Sequence, residues 1–147
     1  MRVFLDTNVL AGATATRGLC ADVLREVFAS HHLIVSSPLF KELRRVLRKK
    51  LGAAQDLVND FIELLQQDTI LAKPGKPPDI DLHDKDDLPI LASALSGKAD
   101  IFVTGDKELL KLGCVGDIEI LSPRQFWERL TAQQQRGTGR GKPRPSR

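Results

Sequence analysis

The chain has 147 residues, 41% of them hydrophobic, which is enough for one domain with a core of its own. Its apolar runs are far too short to cross a bilayer and no signal-peptide pattern is read at its start, so a cytoplasmic protein without membrane contact is expected. The net charge of +3 belongs to the C-terminal end: removing Arg136, Arg140, Lys142, Arg144 and Arg147 leaves −2 for the remainder.

The first apolar run, residues 2–6, predicts a strand, and it ends unusually in the polar triplet Asp6-Thr7-Asn8 within "VFLDTNVL". Helical periodicity follows over 19–30, and "LIVS" (33–36) predicts the second strand. Ser37-Pro38 reads as a cap followed by a first-turn proline, opening a helix over 38–51, and a further helix is predicted over 54–67. A strand at 69–72 leads into "KPGKPPDIDLHDKDD" (73–87), the one long irregular connection. Then come a helix over 87–97, a strand over 100–104, a helix over 107–112, a strand over 118–121 and a helix over 123–132. That last helix opens with a capping box, Ser122 with Gln125, around Pro123. Strand–helix alternation at this spacing predicts βαβ units and a three-layer α/β/α fold with a mainly parallel sheet. One domain is expected over 1–131. Residues 132–147, rich in Gly, Pro, Gln and Arg, read as a disordered basic tail, either a solubilising extension or a weak attractor of nucleic acid.

Cys20 and Cys114 lack metal-ligand spacing and read as thiols, not as a disulfide, and His31, His32 and His83 form no zinc pattern. The residues that suggest chemistry are acids. In an open parallel sheet, sites form at the carboxyl ends of strands. Asp6 ends the first strand, Asp106 follows the fourth, Glu42 lies early in the helix after the second, and Asp87 opens the helix "DLPILASAL". Each has an ordinary explanation: Asp6 as a turn cap, Asp87 and Asp106 as helix N-caps. Glu42 and Asp87, however, share helical stripes with apolar neighbours, where an unpaired carboxylate is costly. The many lysines and arginines of 41–50 mostly fall on other faces, which points to a cation from solution as partner. Two carboxylates about 4 Å apart repel by several kcal/mol at an effective dielectric of ~20. An all-oxygen donor set favours Mg²⁺ or Mn²⁺, and such clusters suit phosphodiester hydrolysis by activating water and stabilising charge on the attacking and leaving oxygens. Thr7 and Asn8 would then hold Asp6 or a bound water by hydrogen bonds.

At these residues the sequence resembles the PIN-domain ribonucleases, particularly the VapC-like toxins of bacterial type II toxin–antitoxin pairs. "VFLDTNVL" is similar to the family's opening strand with its first acid at Asp6, and "SSPLFKELRRVL" to the segment carrying the second, at Glu42. "DDLPILASAL" resembles the third motif, where Ala92 and Ala94 select Asp87 over Asp86, and "ADIFVTGDKELL" the fourth, with Thr104 and Asp106 matching. The resemblance covers about residues 1–130. It implies a flavodoxin-like fold, Mg²⁺- or Mn²⁺-dependent endoribonuclease activity with Asp6, Glu42, Asp87 and Asp106 as ligands, a cognate antitoxin and frequent homodimers. Cleavage by this route leaves 5′-phosphate and 3′-hydroxyl ends.

Lys41, Arg45, Arg48 and Lys49, beside Glu42, serve equally as a solvated face or as phosphate contacts for RNA. Two other readings compete: a different metal-dependent phosphoesterase, and a non-catalytic module binding RNA or protein. Asn8 counts against the first, since phosphatases of related fold often carry a second Asp there. The full acid set counts against the second.

Overall fold

The computed structural model describes residues 1–15 and 17–139, with side chains described through residue 134. Six strands form one sheet: β1 (Arg2–Leu5), β2 (His32–Ser36), β3 (Ile70–Ala72), β4 (Ile101–Val103), β5 (Cys114–Val115) and β6 (Ile118–Leu121), in the order β3-β2-β1-β4-β6-β5. All pairings are parallel except β5 with β6. Among the described residues, seven α-helices accompany it: α1 (Thr7–Ala15), α2 (Leu19–Ser30), α3 (Ser37–Arg45), α4 (Gln55–Leu65), α5 (Asp87–Ser96), α6 (Lys107–Leu112) and α7 (Pro123–Gly139). This is the expected α/β class with a mainly parallel central sheet.

Consecutive residues Val3, Phe4 and Leu5 are all 0% exposed, so both faces of β1 are covered by helices, as a central parallel strand requires. Phe4 stands opposite Phe102 on β4, and their rings stack at 5.2 Å between centroids. Each such buried aromatic contributes about 1.5–3 kcal/mol by leaving water.

Five local features depart from the sequence reading. The chain turns helical directly after Asp6, forming α1. Thr, Asn and Gly make "TNVLAGATA" a poor helix former, but the Asp6 carbonyl accepts the N–H groups of Val9 and Leu10, and Val9, Leu10 and Ala11 are buried. Helix α3 is capped by Ser36, not Ser37: the Ser36 hydroxyl accepts the Leu39 N–H at 3.4 Å from an extended backbone. The helix expected over 38–51 is α only to Arg45 and continues as one π turn over Val46–Lys50. The two-residue strand β5 is too short to carry an alternation signal. At the C-terminal end α7 runs to Gly139, and residues 140–147 of the basic tail lie outside the described residues. The capping box is present as read, with the Ser122 N–H donating to Gln125 and the Gln125 N–H to the Ser122 hydroxyl. Cys20 and Cys114 are free thiols.

Candidate active site

Sheet order reverses direction at β1: the chain proceeds from it to β2 and β3 on one side and later to β4 and β6 on the other. The crevice beyond the carboxyl ends of β1 and β4 is where an α/β sheet of this kind offers a site. Asp6 leaves β1 there, with its N–H still in the ladder, donating to the Val103 carbonyl at 2.9 Å.

Asp6 is 4% exposed and held on every side. Its Oδ1 accepts the Thr7 N–H at 2.8 Å, and its Oδ2 accepts the Thr104 hydroxyl at 2.8 Å and Asn8 Nδ2 at 3.3 Å. Burial raises its pKa above the ordinary value; the Thr104 and Thr7 hydrogen bonds oppose this, and the Asp106 charge adds to it. Thr104, 0% exposed, lies behind Asp6 and also accepts the Asp106 N–H at 3.0 Å. Asn8 Oδ1 accepts the Gly105 N–H at 2.9 Å, so the ends of β1 and β4 are tied twice. Asp106 caps α6 through Oδ1, which accepts the Glu108 N–H at 2.8 Å.

A cavity of about 450 Å³ opens over this framework. Asp6, Thr7, Asn8, Glu42, Asp87 and Asp106 all line it, so the four nominated acids do meet in one place. Asp87, at the start of α5, has its pKa raised to about 7, first by burial and then by the charges of Asp6, Asp84, Asp106 and Glu42. Among the described residues, two buried side-chain polar atoms lack any hydrogen-bond partner, Thr7 Oγ1 and Asp87 Oδ2. Both belong to residues lining this cavity. Buried polar atoms are ordinarily paired, and carboxylates on one wall, with Thr7 Oγ1 and Asp87 Oδ2 orphaned, supply the oxygen donors that a hard divalent cation and its waters take. As they stand, no three of these acids converge tightly enough to enclose an ion, among the described residues.

Glu42 differs from expectation in having a cationic neighbour on its own helix. Its carboxylate does have a protein partner, Arg45, one turn on, with Nη2 at 2.6 Å and Nε at 3.1 Å. Spacing of three residues on a helix brings the two together.

Two residues of the cavity wall were not nominated. Asp84 belongs to the acid-rich connection, where only the path of the loop distinguishes one aspartate from the next. Lys50, the last residue of the π turn, also lies in the wall. Asp86 faces a neighbouring groove with Lys41 and Arg45, which leaves Asp87 to the cavity. Arg48 donates to the Ala53 carbonyl, and neither it nor Lys49 lines the cavity or that groove.

A family model described as PIN domain matches residues 2–108, most of the chain. The chain belongs to the PIN domain family. Solved structures agree on the fold. VapBC2 of Rickettsia felis, bound to a DNA fragment from its promoter, is 12% identical, covers 83% of this chain and 98% of its own, and gives a TM-score of 0.58. VapBC-1 of nontypeable Haemophilus influenzae is 19% identical over 84% and 99%, with a TM-score of 0.59. VapC20 of Mycobacterium tuberculosis, a sarcin-ricin loop cleaving toxin, is 14% identical over 80% and 98%, with a TM-score of 0.56. No curated protein matches the sequence. The PIN fold places the candidate acids at the crevice that its topology creates.

Proposed function

We propose that this PIN-domain protein is a metal-dependent endoribonuclease, the toxin member of a VapC-like toxin–antitoxin pair. The observation that carries the reading is the coincidence of four carboxylates with two unpartnered buried oxygens on one cavity wall. A purely structural cluster has no use for Asp87 Oδ2 and Thr7 Oγ1 left unpaired at the sheet's switch point. Similarity to the VapBC and VapC structures, one of them described as a sarcin-ricin loop cleaving toxin, supports the substrate class and an antitoxin partner.

Asp6, Glu42, Asp87 and Asp106 would hold Mg²⁺ or Mn²⁺. When bound, the cation neutralises the acids, lowers the pKa of water and stabilises charge on the phosphodiester oxygens. The chain's own groups do the remaining work. Thr104 and Asn8 fix the Asp6 carboxylate in one orientation, so it meets its ligand without reorganisation. The free Thr7 hydroxyl offers a donor to water or to a phosphate oxygen entering the cavity. Asp87, its pKa raised to about 7, is roughly half protonated at neutral pH in the cation-free protein, and the protonated fraction must release its proton to become a ligand. No 2′-hydroxyl attack is required, so the products carry 5′-phosphate and 3′-hydroxyl ends.

The test is cleavage of labelled RNAs by the purified protein in Mg²⁺, Mn²⁺ or EDTA, beside Asp6→Asn. Cation-dependent cleavage with 5′-phosphate ends, abolished in the variant, is the expected result. Products with 2′,3′-cyclic phosphates, or cleavage untouched by EDTA, would overturn it.

A further inference from the structure

Glu42 lies in the wall between two recesses. On one side is the acid cavity. On the other is a groove of about 690 Å³, with Pro38, Pro74 and Pro89 in its lining and Lys41 and Arg45 beside them. Arg45 forks onto both oxygens of Glu42, and the fields of Asp86 and Asp84 reinforce its charge. A planar two-pronged pair of this kind takes one lone pair on each carboxylate oxygen and fixes the carboxylate towards Arg45. A cation that recruits Glu42 therefore competes with Arg45 for it.

The exchange is feasible because the pair is not deep. The Arg45 side chain is 43% exposed and that of Glu42 22%, and exposed ion pairs are weak enough to open reversibly. A guanidinium displaced from Glu42 has the groove beside it, where Lys41 on the same helix already supplies a second positive charge. A polyanion crossing from the cavity into that groove meets both. Guanidinium groups suit phosphate because they form the same fork with it.

Building on the proposed nuclease reading, we infer that Arg45 is an internal counter-ion of Glu42, displaced by the divalent cation into the neighbouring groove, where with Lys41 it receives a phosphate of the bound RNA strand. Arg45 is thus a positioning residue that couples cation loading to the grip on substrate. Lys41 shares the helix, the groove and the charge, but it lies outside the bonds to Glu42, which makes it the control.

The experiment is Mn²⁺ titration of the full-length, RNA-free protein by electron paramagnetic resonance, for wild type, Arg45→Ala, Arg45→Lys and Lys41→Ala. It is paired with KM and kcat for RNA cleavage. Losing the fork should tighten Mn²⁺ binding several-fold, up to about fivefold. Arg45→Lys should tighten it less, and Lys41→Ala should barely change it. Both alanine variants should raise KM more than they lower kcat. Unchanged Mn²⁺ affinity in Arg45→Ala, or an equal gain in Lys41→Ala, would overturn the counter-ion role and leave the nuclease reading intact. Wild-type protein that binds no Mn²⁺ would overturn the nuclease reading, and this inference with it.

Discussion

The Thr104 hydroxyl donates to Asp6 Oδ2 at 2.8 Å while accepting the Asp106 N–H at 3.0 Å, so one buried side chain joins the ends of β1 and β4.

Thr104→Val keeps the shape and removes the joint. It leaves the Asp106 N–H without its acceptor and strips Asp6 of the strongest contact opposing its burial. Stability should fall by about 1–3 kcal/mol, the cost of unmade buried hydrogen bonds. Urea denaturation measures the loss, and divalent-cation affinity should fall in the same variant because the Asp6 pKa rises further. Wild-type stability together with wild-type cation affinity would show that the hydroxyl holds nothing.

Asp87 predicts how stability depends on pH in the cation-free protein. Its folded pKa of about 7 lies above the ordinary 3.8. Below the ordinary value the carboxyl is neutral in folded and unfolded chains alike, and its burial costs least. As pH rises from about 4 towards 7 the unfolded chain gives up the proton first, so stability declines, then levels off. The full shift would correspond to about 4 kcal/mol, which solvent screening at this partly exposed group reduces to about 1–2 kcal/mol. Asp87→Asn should flatten that decline and raise the neutral-pH melting temperature in EDTA. A slope identical to wild type would contradict the assignment.

The same carboxyl makes cation binding a proton-releasing event. Below pH 7 affinity for Mg²⁺ or Mn²⁺ should rise roughly tenfold per pH unit for one released proton, then flatten. Calorimetry in two buffers of different ionisation enthalpy counts the proton directly. Saturation at about 100 times Kd should add about 2.7 kcal/mol of stability. Cation binding with no proton uptake by buffer near pH 6 would place the ion away from Asp87.

Gly97→Ala tests packing far from the chemistry. A Cβ there would lie 2.9 Å from Ile34 Cγ2, 3.0 Å from the Ala72 Cβ and 3.2 Å from the Ser93 carbonyl. All three belong to the helix and strands that pin this corner, so the clash is not easily relieved. Overpacking should cost about 1–3 kcal/mol, a drop of roughly 2–4 °C in Tm per kcal/mol at this size. The kcat for RNA cleavage measured well below the melt should be unchanged. A stability equal to wild type would mean the corner relaxes freely.

Much of this arrangement was legible in the residues, and the gaps have physical reasons. Asp6, Asp87 and Asp106 were visible because strand runs and helix starts carry strong local signals, and the topology does the rest. Helix α1 was hidden because its residues favour other conformations and only burial of Val9, Leu10 and Ala11 makes them helical. The Ser36 cap was one residue from the serine beside the proline, a distinction set by where β2 ends. The Glu42–Arg45 pair was within reach of simple helical spacing, but counting faces against apolar neighbours drew attention inward. Asp84 and Lys50 depended on an irregular loop and a π turn, which no periodicity encodes.

Asp6 and Thr104 are 98 residues apart in the chain. Synthesis at roughly 5–20 residues per second therefore separates their emergence by about 5–20 seconds. Throughout that interval the first acid of the set has only its chain neighbours Thr7 and Asn8 as partners, and the strand that leads to Thr104 does not yet exist. A partly made chain thus holds its acids apart until β4 has been synthesised and can pair with β1.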